Sequence, residues 1–270
     1  MPELPEVETT RNGIAPHIQG QRISGVVVRQ ARLRWPITDD LASLLTGRSV
    51  HSVERRAKYL LLGLTNGTLI LHLGMSGSLR ILPHETAPGK HDHFDLLFKA
   101  CCLRLRDPRR FGAVLWTDQP VTQHPLISHL GPEPLSAEFS SDYLHRQAQR
   151  RRVAVKNLIM DGRVVVGVGN IYANEALFRA GIHPARSAGR ISAARYARLT
   201  EEIKSVLTTA IQRGGTTLRD FQQEDGKPGY FAQELLVYGK TGSACPGCGA
   251  PLRQQRIGQR SSFYCSHCQR

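Results

Sequence analysis

Two constellations in this sequence could carry chemistry, one at each end. Near the C-terminus, Cys245-Pro-Gly-Cys248 and Cys265-Ser-His-Cys268 form two Cys-x-x-Cys pairs with 16 residues between them. Each pair presents two sulfurs side by side, and two pairs satisfy a tetrahedral ion, so one structural Zn²⁺ is expected on these four cysteines. Four protein ligands leave no open position, and the zinc should take no part in catalysis. A redox dithiol is the alternative for such spacing. At the other end, removal of Met1 would make Pro2 a free secondary amine beside Glu3. A secondary amine that attacks an aldehyde carbon gives a permanently charged iminium, which is a good electron sink. Taken alone, Glu3 and Glu6 fit equally well as simple helix-start acids.

The rest of the sequence points to a polyanion. The formal net charge is +14 with pI ≈ 10.0, which favours nucleic acid first and an anionic membrane second. The basic residues gather in Arg55-Arg56-Ala-Lys58, in Asp107-Pro-Arg109-Arg110-Phe111, and in Arg150-Arg151-Arg152 with Lys156. Arg253, Arg256 and Arg260 lie between the two cysteine pairs, on what should be a β-hairpin suited to a nucleic-acid groove. Gly167-Val-Gly169-Asn170 precedes a helical stretch. Asn170 reads as its N-cap, and the glycines would let a phosphate approach the helix N-terminus. The third glycine of a dinucleotide fingerprint is missing.

These residues need a scaffold, and the pattern supplies one. Val7, Ile14 and Ile18 fit one helix face after Pro5, with Pro16 expected to kink or end the helix. Strand signals run from about Ile23 to Trp116: Val26 to Val28, Val50 to Arg55, Tyr59 to Leu64, Thr68 to Leu73, Leu96 to Phe98, Leu103 to Arg106 and Ala113 to Trp116. Asn66-Gly67 reads as a hairpin turn. Cys101 and Cys102 fall in a strand and should be structural. Gly131-Pro-Glu-Pro134 marks a boundary, beyond which Tyr196, Leu199, Ile203, Val206, Leu207 and Ala210 line one helix face between a Ser192 cap and a Gly214-Gly215 stop. The polar, Gly-rich stretch from Gly214 to Tyr230 has no periodicity and reads as a functional loop. No apolar run reaches the ~18 residues of a membrane span, and the acidic start has no signal-like h-region, so the protein is expected to stay where it is made.

Together these residues resemble a family. The opening Met-Pro-Glu-Leu-Pro-Glu-Val-Glu-Thr is similar to that of formamidopyrimidine-DNA glycosylases, bacterial repair enzymes for oxidised purines. The same holds for Arg56-Ala-Lys58-Tyr-Leu, His72-Leu-Gly-Met75-Ser-Gly-Ser-Leu-Arg80, His91-Asp-His93 and Asp107-Pro-Arg-Arg-Phe-Gly112. It holds also for Gly167-Val-Gly-Asn-Ile-Tyr-Ala173, Asp225-Gly-Lys-Pro-Gly-Tyr-Phe231 and the cysteine tail. The match runs in order along essentially the whole chain. The related endonuclease VIII group typically opens Pro-Glu-Gly-Pro-Glu, so Leu4 favours the formamidopyrimidine branch.

The resemblance implies an α+β protein. Residues 1–131 would form an antiparallel β-sandwich with an N-terminal helix. Residues 132–234 would form a helix–two-turns–helix domain with a lesion-covering loop at about 214–230, and residues 235–270 a zinc finger, with double-stranded DNA in the cleft between. It implies that Pro2 attacks C1′ of the damaged nucleotide, Glu3 protonates the sugar, Glu6 supports that corner, and Lys58 and Arg260 hold phosphates and assist β- and δ-elimination. His91, Arg109, Arg151, Lys156 and Asn170 match DNA contacts, and Met75, Arg109 and Phe111 the group that fills the gap left by an extruded base. Arg151 stands where a lysine is common. The expected partner is duplex DNA with an oxidised purine or an abasic site, met by a cytoplasmic monomer. Two alternatives are an endonuclease VIII-like enzyme for oxidised pyrimidines and a non-catalytic zinc-finger DNA-binding protein. The latter has no use for Pro2, Glu3 and Lys58 together. A zinc-ribbon RNA-binding module would show clustered aromatics, and only 6% of residues are aromatic.

Overall fold

The first described element is helix α1 (Leu4–Ile18). The structure is a computed structural model that describes residues 2–215 and 234–270. The chain divides into two compact units. The first runs to Ser128 and takes in Arg213 to Gly215; the second begins at His129 and holds the rest of the described chain. Apart from Gly214 and Gly215, the loop expected at 214–230 lies outside the described residues.

In the first unit α1 is followed by two four-stranded antiparallel sheets. One has the order β1 (Gly25–Val28), β6 (Asp92–Leu97), β7 (Cys101–Arg106), β5 (Ser78–Pro83). The other has the order β2 (Val50–Arg56), β3 (Tyr59–Leu64), β4 (Gly67–His72), β8 (Ala113–Thr117). Alternate residues of both sheets feed one core: Leu60, Leu62, Leu69 and Leu71 from one, Phe94, Leu96, Leu103 and Leu105 from the other, with Ile14 and Ile18 of α1. This is the period-two pattern of a sandwich. Cys102 is buried in strand β7. Buried Asp95 takes two hydrogen bonds from Arg104, at 2.9 and 2.8 Å, and one from Arg29 at 2.6 Å. Arg104 also donates to Thr86 O and Ala87 O, pinning the loop that leads to His91.

One local expectation needs correction. The β3–β4 turn is Thr65-Asn66, one residue earlier than read, and Gly67 is already paired with Leu64 in the ladder. Its φ of +151° is a region for glycine, and a Cβ there would lie 2.3 Å from Thr117 O. The glycine is needed for strand approach and not for the turn. Helix α1 runs two residues past Pro16: a proline in the last turn removes one bond and leaves the remaining residues to finish the turn. Strand β5 and the short helix α2 (Leu41–Leu45) carried no signal that was read.

The second unit packs α3 (Ser141–Ala148), α4 (Val155–Ile159), α5 (Asn170–Arg179) and α6 (Ala193–Gln212) around Leu144, Leu158, Ile171, Tyr172, Leu177 and the expected α6 face. Ser192 precedes α6, and its carbonyl accepts Tyr196 N–H; Gly214 and Gly215 follow its end at φ +75° and +80°. The C-terminal hairpin is β9 (Arg253–Ile257) and β10 (Arg260–Tyr264). Among the described residues no helix is long and apolar enough to cross a membrane.

Gly67→Ala should cost at least about 2 kcal/mol, because it adds both backbone strain and a clash with a strand carbonyl. Chemical denaturation checks this; an unchanged midpoint would show that the ladder can shift to admit the methyl group.

Candidate active site and nucleic-acid interface

The start of the chain is held tightly. Pro2 is buried, and Glu3 is the N-cap of α1 at φ −101°, ψ −170°. Glu6 Oε2 accepts Glu3 N–H at 2.8 Å, and the Glu3 carboxylate faces the backbone N–H of Glu6, closing a capping box. Both side chains are almost fully buried. Pro5 falls in the first turn, where a missing N–H costs no helical bond. Leu4 and Val7 bury the first turn. Gly215 packs here too: its φ of +80° favours glycine, and a Cβ would stand 3.1 Å from Glu6 Cγ and Oε1.

Helix α1 is tied to a second candidate. Lys58 sits with Ala57 in the two-residue turn closed by the Arg56–Tyr59 pair, and Ala57 is held at φ +54°. A left-handed alanine is strained, and the surroundings hold it. Arg55 donates through Nη1 to Ala57 O at 2.9 Å and through Nε to Glu8 Oε2 at 2.6 Å. Glu8 also accepts from Arg11. Burial raises the Glu8 pKa, but the bonds from the two arginines outweigh it and hold the carboxyl below its usual value. Glu8 therefore couples the helix bearing Pro2 and Glu3 to the turn bearing Lys58, a link through residue types that the sequence did not single out.

His72 was also missed as a site residue. Its Nδ1 accepts Gly74 N–H at 3.0 Å, and its ring lies 4.9 Å from that of Tyr59. Burial pushes its pKa down to about 4, aided by the positive charges of Lys58 and Arg34. At neutral pH it is an uncharged ring with a fixed tautomer, Nε2 carrying the proton.

Met75 and the pair Arg109 and Phe111 lie on two neighbouring loops. A Cβ on Gly74 would stand 2.3 Å from Phe111 C, so the backbones touch where the side chain is missing. Phe111 is 42% exposed, and the Arg109 guanidinium stands 5.0 Å over its ring. Met75 and His91 are half-buried. The structure thus brings together the expected gap-filling trio and His91 within the first unit.

In the second unit, Arg150, Arg151, Arg152 and Arg190 line a groove of about 490 Å³ with Ser187 and Gly189. Gly189 donates to Arg151 O at 2.8 Å, and a Cβ on it would press on the Arg151 carbonyl at 3.0 Å. Arg151 is exposed, as a phosphate contact requires. Lys156 is not. Its side chain is fully buried, and Nζ donates to Ser261 O at 2.8 Å and Ser262 Oγ at 2.7 Å. In this structure the Lys156 ammonium, expected on DNA, is buried and committed to β10, where it holds the hairpin. Asn170 is likewise not the N-cap. Gly169 caps α5, and Asn170 is its first residue, with Oδ1 buried and making no hydrogen bond.

The four cysteine sulfurs lie within 4.8 Å of one another, with Cys245–Cys268 at 3.9 Å and Cys248–Cys265 at 3.5 Å. Zn–S bonds of about 2.3 Å in a tetrahedron put sulfurs about 3.8 Å apart, so the set fits one Zn²⁺. Around it, Glu175 accepts the N–H groups of Leu236, Val237 and Tyr238 at 2.8–3.0 Å, and Asn174 Oδ1 accepts Phe263 N–H at 2.7 Å. Arg260 is exposed beside the Gly258-Gln259 turn, where Gly258 has φ +60°.

The chain is similar to known proteins along its length. Residues 1–114 match the formamidopyrimidine-DNA glycosylase N-terminal domain, residues 130–222 that family's H2TH domain, and residues 242–270 the zinc finger found in FPG and IleRS. A formamidopyrimidine-DNA glycosylase of Methylococcus capsulatus is 62% identical, with 100% of each chain covered. Among solved structures, a mutant Lactococcus lactis FPG in complex with a Fapy-dG containing DNA is 32% identical, with TM-score 0.92 and 100% of both chains covered. The Lactococcus lactis Fpg in complex with an abasic site containing DNA is also 32% identical, with TM-score 0.91 and 99% of both chains covered.

Two outcomes follow from this geometry. The His72 ring should titrate near pH 4. Its folded pKa lies below the unfolded value of 6.5, so the unfolded chain takes the proton first and stability falls as pH drops from 6.5 towards 4. Lys58→Met should move the midpoint up. NMR of the imidazole reads it, and a midpoint near 6.5 would contradict the burial argument. Cys248→Ser or strong chelation should sharply raise hydrogen exchange in β9 and β10 while β3 and β4 stay protected, because the metal supplies the folding energy of so small a module. Unchanged protection without metal would mean that the contacts with α5 suffice.

Proposed function

The chain belongs to the formamidopyrimidine-DNA glycosylase family, and from that premise we propose how its residues divide the excision of oxidised purines from DNA. It is a base-excision repair enzyme, a DNA glycosylase with abasic-site lyase activity. The observation that carries the assignment of roles is the first unit's arrangement: Pro2 and Glu3 at the buried start of α1, and Lys58 on a turn tied to that helix through Arg55 and Glu8.

In this reading the nucleotide is extruded, because a stacked base cannot be reached. With Met1 removed, the Pro2 nitrogen attacks C1′ and the bond to the base breaks. Glu3 gives a proton to the ring oxygen as the sugar opens, leaving an iminium between Pro2 and C1′. The iminium acidifies the C2′ proton; its loss expels the 3′ phosphate, and a second elimination expels the 5′ phosphate. Glu6 holds Glu3 in place through the capping box. Lys58 and Arg260 bind phosphates beside the lesion and assist the eliminations. When bound, zinc folds the hairpin that presents Arg260 and supplies no chemistry.

Met75 and Phe111 fill the gap left by the extruded base, and apolar wedges of this kind compensate the lost stacking. Arg109 faces the unpaired partner base. A guanidinium only donates, and cytosine offers adjacent O2 and N3 acceptors, whereas adenine sets its amino group beside N1. A lesion opposite cytosine is therefore preferred, and excision opposite a misinserted adenine, which would fix a mutation, is disfavoured. His91, Asn170 and Arg151 bind the DNA backbone. The likeness to enzymes solved with Fapy-dG and abasic DNA supports the purine lesion as substrate. The boundaries read in the sequence, at 131 and 234, divide these tasks, and the enzyme acts as a monomer in the bacterial cytoplasm.

Glu3→Gln should abolish excision of 8-oxoguanine but spare cleavage at a preformed abasic site, where the sugar is already partly open. An added N-terminal residue should abolish both, because an amide nitrogen cannot attack; retained lyase activity in that blocked variant would refute the role of Pro2. DNA affinity should fall steeply with salt, with a log–log slope near −5 for ~5–7 neutralised phosphates. Arg151→Ala should flatten it by about 0.9, while Lys156→Met lowers stability and leaves the slope alone. Equal flattening by both would put Lys156 on the DNA.

A further inference from the structure

Asp107 is fully buried, yet it lies between the two loops that carry the gap-filling side chains. Its Oδ1 accepts Ser76 Oγ–H at 3.0 Å, and Ser76 follows Met75 in the β4–β5 loop. Its Oδ2 accepts Gly112 N–H at 2.7 Å, and Gly112 follows Phe111 in the β7–β8 loop. The N–H of Arg109 reaches Oδ1 at 3.3 Å. The backbone of the same residue completes the knot. Its N–H donates to His91 O at 2.9 Å, and its carbonyl takes a bond from His93 Nε2 at 2.9 Å and from Arg110 N–H at 3.2 Å. The last bond braces Arg110 at φ +56°.

We infer that Asp107 is a positioning residue for base extrusion: its carboxylate locks the Met75 loop to the Arg109–Phe111 loop, so that they act as one rigid wedge. This rests on reading those three side chains as the gap-filling group. The physical reason is ordering. Exposed loop tips are mobile unless fastened, and a mobile wedge must be ordered each time it enters the duplex. Here that cost falls on folding. Gly74 and Gly112 serve the same end, since a Cβ on Gly74 would strike the Phe111 backbone at 2.3 Å and one on Gly112 would meet His72 O at 2.8 Å and Asp107 Oδ2 at 3.0 Å. The demand is for hydrogen-bond geometry and not for charge. An asparagine could keep its oxygen on Gly112 N–H and turn its NH₂ towards Ser76 Oγ, which then accepts, losing only the longer bond from Arg109 N–H.

The test compares single-turnover excision of 8-oxoguanine with cleavage at a preformed abasic site, where no base has to be extruded, and records Tm for each variant. Asp107→Ala should slow excision about 10- to 100-fold, as expected for two lost buried hydrogen bonds, while abasic-site cleavage stays within about threefold. It should also erode the preference for cytosine opposite the lesion. Asp107→Asn should recover most of the excision rate. Ser76→Ala removes one bond only and should slow excision several-fold with Tm nearly unchanged; it decides the matter if Asp107→Ala does not fold. Equal slowing on both substrates, unchanged excision in folded Asp107→Ala or in Ser76→Ala, or no recovery in Asp107→Asn would each overturn the inference. Phe111→Ala separates the two levels. If it excises normally, the wedge reading falls and takes the inference with it. If it fails while Ser76→Ala and Asp107→Ala excise normally, only the role of Asp107 falls.

Discussion

The capping box between Glu3 and Glu6 is the constraint on which the proposed chemistry depends. A proline nitrogen can attack only as the first residue of a chain, and chain ends are where order is ordinarily lost. Here the second residue is already buried, the third caps a helix, and the sixth returns the cap. The helix that follows sinks Leu4, Val7, Ile14 and Ile18 into the first unit. The residue proposed as nucleophile is therefore fixed by the same bonds that start the fold. Glu8, one turn further on, extends this to Lys58 through Arg55. Three proposed roles thus hang on a single helix turn and its partner hairpin.

The same economy recurs elsewhere. Buried polar groups are costly unless satisfied, and this chain spends them on aiming exposed ones. Lys156, Asn174 and Glu175 are buried, and each bonds backbone or hydroxyl groups of the C-terminal segment that displays Arg253, Arg256 and Arg260. Asp107 does the same beneath Arg109 and Phe111. Asp95, through Arg104, fastens the loop before His91. These exposed side chains sit on loops and on the C-terminal hairpin, over buried anchors. The zinc ion fits this scheme as one more anchor.

Much of this was legible in the sequence where the signal is local. Two Cys-x-x-Cys pairs declare a metal site, the α6 face declares a helix, and period-two leucines declare the sandwich. The opening Pro2-Glu3 and the Arg109–Phe111 segment are contiguous motifs. What failed depends on distant partners. Arg151 and Lys156 are both basic and five residues apart, and only the docking of β10 decides that one is exposed and the other buried. Asn170 is a better capping residue than Gly169 by type, but Gly169 holds the extended N-cap conformation and the helix starts one residue earlier. Gly67 looked like turn chemistry and is a strand contact with Thr117. Glu8, His72 and Asp107 lie inside motifs that carry the resemblance, yet no local pattern shows what they do, because their roles lie in partners up to 47 residues away.

The central claim is that the covalent step belongs to Pro2, held by the capping box, and not to Lys58 on the neighbouring turn. Both are amines that could condense with C1′, Pro2 to an iminium and Lys58 to an imine. Borohydride reduction during reaction with an 8-oxoguanine duplex, followed by mass mapping of the trapped adduct, separates them most directly. The account predicts that the sugar remnant is found on the peptide from Pro2 to Arg11, at its N-terminal nitrogen. An adduct on a peptide containing Lys58, with the N-terminal peptide unmodified, would contradict it.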